Sequence, residues 1–199
     1  MAPRERREKQ WYKLDNAGVL YSAIQKENYS AIYRFSAVME ERVDPEALQR
    51  AVDKTMPRFP GFAVHIKKGA FWYYFEPNPA PGPFVKRDIS NPCQPVRFRE
   101  DNGWLVRFYY YEHRISLEVF HALSDGAGAL VFFRTLLAVY LREMGHAIPN
   151  GPGILDVEEP PTGRSWRTPM PAMPRSVPCG PGSGRRPSRT PARRSPSIR

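Results

Sequence analysis

The chain has 199 residues, enough for one domain with a buried core. Its net charge is +10, yet residues 1–159 hold 21 Lys and Arg against 20 Asp and Glu, while 160–199 hold 9 Arg and no acid. The basic character belongs to the tail, which excludes a specific nucleic-acid partner for the folded part, and the two cysteines, Cys93 and Cys179, make neither a metal spacing nor a disulfide framework.

Residues 1–10 are charged and read as a disordered N-terminus; no apolar run follows them, so no secretory signal is expected. A short helix is expected over 14–24, capped by Asp15 or Asn16. Residues 31–39, rich in β-branched and aromatic side chains, predict a strand. Asp44-Pro45-Glu46 is a helix start, with a capping Asp, Pro at the first helical position and an acid in the first turn. That helix runs to about Thr55, where Pro57 and Pro60 end it.

Residues 62–67 and 70–76 predict a hairpin around Lys68-Gly69, and 77–95 a Pro-rich loop. A second hairpin is expected from 104–111 and 114–121 around Glu112-His113. Alternation along its last strand puts Ile115, Leu117, Val119 and His121 on one face. From Gly126 to Met144 the sequence is apolar nearly all round, which predicts a helix buried on several sides with Gly145 at its C-terminal cap. Its apolar stretch is too short to span a bilayer and is broken by Arg134, so no membrane span and a cytoplasmic location are expected. The element order predicts an α/β two-layer sandwich with a mixed sheet.

From Pro160 to Arg199 there are 10 Pro, 9 Arg and 6 Ser, with no Leu, Phe, Tyr, Asp or Glu. Such a segment cannot bury enough apolar surface to offset its chain entropy, and disorder is expected. An out-of-frame read and an ordinary disordered linker both fit this composition.

The segment with most chemical content is His121-Ala122-Leu123-Ser124-Asp125-Gly126. It sits where a strand gives way to a turn and a helix, so the strand can fix an imidazole that the turn exposes. A core histidine satisfied by a backbone partner is the bland alternative, and a plain helix cap is the alternative for Asp125. Ser124 beside Asp125, without a Gly-x-Ser-x-Gly elbow, does not make a hydrolase triad. His65, His113 and His146 read as surface residues with no metal spacing. Trp72, Tyr73, Tyr74 and the aromatics of 109–111 read as sheet packing rather than a base-stacking platform.

Placed on a strand-to-helix turn in this element order, the motif resembles that of the CoA-dependent acyltransferase superfamily. This superfamily holds the chloramphenicol acetyltransferase-like and condensation-domain-like proteins; the alcohol acetyltransferase-like branch is the nearer likeness. Tyr12-Lys13-Leu14-Asp15-Asn16-Ala17, Pro57-Arg58-Phe59-Pro60, Phe71-Trp72-Tyr73-Tyr74 and Phe120 through Gly126 carry it, and Gly153-Ile154-Leu155-Asp156 extends it. It covers residues 11–159 as the N-terminal subdomain, a chloramphenicol acetyltransferase-like half-domain.

The resemblance implies transfer of an acyl group from acyl-CoA, or an acyl carrier protein, to a small alcohol or amine in a tunnel between two subdomains. It implies His121 as general base, Asp125 as a structural residue paired with an arginine, and Gly126 as the residue that permits the close turn. Arg58 is the first choice for that arginine and Arg34 the second. No permanently bound cofactor and no metal are implied; acyl-CoA is a co-substrate. Phe120 stands where condensation domains usually carry a second histidine. The second subdomain has no counterpart in 160–199, so a truncated enzyme, weakly active or inactive alone, is expected. The alternatives are a non-catalytic half-domain or interaction module that needs a partner chain, with self-association through its uncovered apolar face, and a binding protein that uses the basic tail.

Overall fold

The computed structural model describes residues 12–13, 30–69, 73–88, 91–95 and 101–161. The expected N-terminal segment 1–10, the helix over 14–24, Phe71 and Trp72, and the tail from 162 onward with Cys179 lie outside them.

Two sheets form. Strands β1 (Tyr12–Lys13), β3 (Val64–Lys68) and β4 (Tyr73–Pro77) make a three-stranded antiparallel sheet in the order β1-β4-β3. Strands β2 (Ile32–Val38), β5 (Val85–Arg87), β6 (Val106–Tyr111) and β7 (Arg114–Phe120) make a four-stranded mixed sheet in the order β2-β7-β6-β5, in which only β5 and β6 run parallel. The mixed sheet expected from the element order is the four-stranded one, and the smaller antiparallel sheet stands beside it. The β3–β4 hairpin pairs with β1 and carries its own apolar cluster, Ala31, Val64, Ile66, Leu105 and Phe120, which seats it against the end of β7. Strand β5 lies inside the segment expected to be a loop.

Helix α1 (Pro45–Thr55) follows the predicted start. Asp44 caps it by accepting from the amides of Glu46 and Ala47 at 2.8 and 3.3 Å, with Pro45 in the first turn. Helix α2 (Gly126–Glu143) ends on Gly145, whose φ of +91° is the left-handed conformation glycine accepts. The amides of Gly145 and His146 bond back to the carbonyls of Arg142 and Leu141, the paired closure of a Schellman end.

Both helices pack on one face of the four-stranded sheet. Ala47, Leu48, Ala51 and Val52 of α1 meet Phe132, Phe133, Leu136 and Val139 of α2 and the inward residues of β7, Ile115, Leu117 and Val119. Phe132 is the hub, stacked on Phe62 with centroids 4.6 Å apart and edge-on to Phe59 at 4.9 Å. Across the outer ends of the helices, Glu143 accepts from Arg50 Nε at 2.9 Å and Lys54 Nζ at 2.6 Å. This is the two-layer α/β arrangement the sequence predicts, and it brings the end of β7 and the start of α2 to the same edge of the core.

Candidate active site at the end of strand β7

His121 follows β7 directly. The antiparallel register of β2 and β7 pairs Ile32 with Phe120 and Tyr33 with Val119. One step further, the His121 amide donates to the Ala31 carbonyl at 2.7 Å, so the ladder extends to the histidine itself. The side chain leaves on the face that Val119 and Tyr33 share, as the alternation predicts. Its half-buried ring lies edge-on to Tyr33, with centroids 5.1 Å apart and planes at 66°. Phe120, by contrast, is fully buried in the small cluster on the opposite face. The place of the second histidine is here a core position.

After His121 the chain turns, with the Leu123 amide bonded to the Phe120 carbonyl at 2.8 Å. Asp125 then caps α2: its carboxylate accepts from the Gly128 amide at 2.8 Å, and its carbonyl accepts the first helical bond from Ala129 at 3.1 Å. An acidic cap at a helix N-terminus is favoured both by the unpaired amides and by the helix dipole.

Tyr33, which sequence reasoning did not single out, reaches over this turn. Its hydroxyl lies 2.8 Å from the Asp125 carbonyl oxygen and 3.0 Å from that of Ser124. Burial, together with the charge of Asp125, pushes its phenol well above the usual tyrosine range, so it is a proton-bearing donor at every physiological pH. The only sequence signal for this role was an aromatic residue on a strand beside β7, and the register that completes it is a tertiary fact.

Three expectations are corrected. Arg58 does not reach Asp125: its buried guanidinium donates through Nε to the Asp156 carbonyl at 2.9 Å and lies 3.7 Å from Glu159. The chain after α2 folds back across the end of α1 and occupies that arginine. Arg34 is also engaged elsewhere, with Asp88 and Glu118. Gly126 is not the sterically demanded glycine, since a Cβ there would meet nothing within 4 Å. The close approach is at Gly128, where a Cβ would lie 2.5 Å from Ser124 Oγ and 3.3 Å from Asp125 Oδ1, so the Ser124 hydroxyl would have to turn away.

The other histidines lie away from this turn. His65 pairs across β3 and β4 with Glu76 at 3.6 Å, and His113 meets the Glu40 carbonyl at 3.1 Å. Among the described residues no three His, Cys, Asp or Glu side chains are grouped to hold a metal, and no helix is long and apolar enough to cross a membrane. A groove of about 390 Å³ lies between the end of β2 and the C-terminal end of α2, lined by residues that include Val38, Tyr140 and Ile148; it does not include His121.

A half-buried imidazole on a fixed backbone, beside a capped helix start, is an arrangement able to take a proton from a bound hydroxyl or amine.

No family model matches the chain, and no curated protein does. Solved structures do. The starter condensation domain of rhizomide synthetase superposes with a TM-score of 0.57 at 14% identity, over 71% of this chain and 40% of that domain. A mutant of that domain in complex with C8-CoA gives 0.54 at 14% identity, over 65% and 35%. The first condensation domain of the calcium-dependent antibiotic synthetase, with a substrate analogue, gives 0.52 at 20% identity, over 72% and 40%. The chain spans about 40% of the length of these domains. In fold, then, it matches part of a condensation domain, about 40% of that domain's length.

Proposed function

We propose that the chain forms the histidine-bearing half of an acyl-transfer site, moving an acyl group from a CoA or carrier-protein thioester to a small alcohol or amine. The observation that carries this reading is the placement of His121 at a strand end, half-buried, on a turn closed by a capped helix, within a condensation-domain fold. In this reading the imidazole takes the proton from the acceptor O–H or N–H as that atom attacks the thioester carbonyl. The tetrahedral adduct collapses, the C–S bond breaks, and the leaving thiolate takes up the proton. Histidine suits the step because its ordinary pKa lies near neutrality.

Asp125 acts through structure, as the cap of α2. Acyl-CoA is a co-substrate rather than a resident cofactor, a reading supported by the C8-CoA complex of one similar domain. The second wall of the site comes from a further subdomain, in line with the 40% of each similar domain that this chain spans. The same coverage favours a second reading, a half-domain that docks on a partner chain and does no chemistry.

The two readings separate in a thiol-release assay with acetyl-CoA or octanoyl-CoA and an alcohol or amine acceptor, with the C-terminal half of a condensation domain supplied in trans. Acyl transfer predicts acceptor-dependent CoA release that falls about 10²–10⁴-fold in His121→Ala, mostly in kcat. Equal rates for the two proteins overturn it.

A further inference from the structure

The turn that carries His121 is held from outside by two residues, one just before β2 and one within it. Ala31 and Tyr33 lie two apart on the chain, and between them they fix three things. The Ala31 carbonyl holds the His121 amide, the Tyr33 ring borders the imidazole, and the Tyr33 hydroxyl meets the carbonyls of Ser124 and Asp125. The Asp125 carbonyl is also the first acceptor of α2, bonded to Ala129, and it accepts from Ser124 Oγ at 3.1 Å. A single phenol thus joins the histidine to the start of the helix that follows it.

We propose that Tyr33 is the positioning residue of this site: its hydroxyl clamps the Ser124–Asp125 carbonyls while its ring sets the orientation of the His121 imidazole. The proposal rests on the reading of His121 as the base, and it adds a residue that the His-to-Gly126 motif does not contain. One proton shared between two carbonyls is a three-centre bond. Without it the turn keeps its cap and its local backbone bond but loses a tie to β2. The Tyr33 ring also packs on Phe35, edge-on at 5.7 Å, so the clamp is braced by the core rather than free to swing.

The test uses the full chain and needs no turnover. Tyr33→Phe keeps the ring and removes the hydroxyl; Tyr33→Leu removes both. In Tyr33→Phe the amides of Gly128 and Ala129 should exchange with solvent on the order of five-fold faster, the loss expected for one net hydrogen bond. The His121 ring resonances should shift or broaden, while those of His65, His113 and His146 stay in place. In Tyr33→Leu the His121 resonances should move further, because the neighbouring ring current is gone. A His121 spectrum and turn exchange in Tyr33→Phe matching the wild type would overturn the clamp, whatever happens to the Leu variant. A changed Tyr33→Phe spectrum together with undiminished acyl transfer in His121→Ala would instead overturn the base assignment and leave the clamp as measured.

Discussion

The two faces of the four-stranded sheet are buried by different physics. On the inner face Ile115, Leu117 and Val119 are fully covered by apolar side chains of α1 and α2. On the outer face of the same strand, Ser116 and Glu118 are 1% and 2% exposed, and they are held by partners rather than by area. Arg34, Glu118 and Arg107 stand side by side across β2, β7 and β6. Arg34 donates to Glu118 Oε1 at 2.9 Å and, through both terminal nitrogens, to Asp88 at 2.8 and 2.9 Å. Arg107 lies 3.5 Å from the second Glu118 oxygen and donates to the carbonyls of Gln94 and Pro95. The Cys93 amide gives Glu118 a further bond at 2.6 Å. The described residues 91–95 thus lie against a polar sheet face, whereas the inner face of β7 is covered by apolar side chains. A buried ionic face is stable only when its charges are matched.

That contrast is broken most severely by Glu118→Ala, which takes the shared carboxylate from the half-buried guanidinium groups of Arg34 and Arg107. It should cost about 3–5 kcal/mol in chemical denaturation. Leu117→Ala, next door on the apolar face, should cost about 2–5 kcal/mol, set by how far the cavity collapses. The signature that sharpens the comparison is additivity. In a double-mutant cycle Arg34→Met and Glu118→Leu should couple by about 1–3 kcal/mol, whereas Arg34→Met with Leu117→Ala, on opposite faces, should add within about 0.5 kcal/mol. Equal coupling in both cycles would show that the two faces are not separate systems.

A smaller effect tests the same charge chemistry where water reaches it. Lys54 and, next, Arg50 hold the Glu143 carboxyl below the usual carboxylate range through their hydrogen bonds to it. Both partners are about half exposed, at 51% and 55%, so screening keeps the contribution to about 0.5 kcal/mol or less. Because the folded value is depressed, this contribution is complete above the ordinary Glu pKa of about 4.3 and is lost as pH falls through the folded value. Stability measured from pH 7 downward should show wild type and Glu143→Gln separated by a constant small gap that closes in acid. A gap that widens in acid would reverse the assignment.

Much of this was legible in the chain, and the reasons differ by element. Asp44-Pro45 and Gly145 fix helix ends through local backbone chemistry, so α1 and the end of α2 follow from short stretches of sequence. The β6–β7 hairpin is equally local: Tyr111 and Arg114 pair across Glu112-His113. Strand β5 was hidden because it is three residues long, sits among prolines and pairs in parallel with a distant strand. The burial of Glu118 was hidden, since nothing local reveals that residues 91–95 lie against it. At the site, the histidine and the cap were readable from the hexapeptide. Tyr33, the tight approach at Gly128 and the diversion of Arg58 to Asp156 were not, because each depends on a partner 90 or more residues away or on the turn's own geometry.

If the β7–α2 turn is the proposed acyl-transfer site, the acyl donor must bind beside it. Isotope-labelled chain titrated with octanoyl-CoA, with CoA alone as the control, should show amide shifts at Ala31 to Tyr33 and at His121 to Gly128 that saturate and need the acyl chain. Shifts confined to the groove of Val38, Tyr140 and Ile148, or none at concentrations where the acyl-CoA remains monomeric, would overturn the assignment of acyl transfer to this turn.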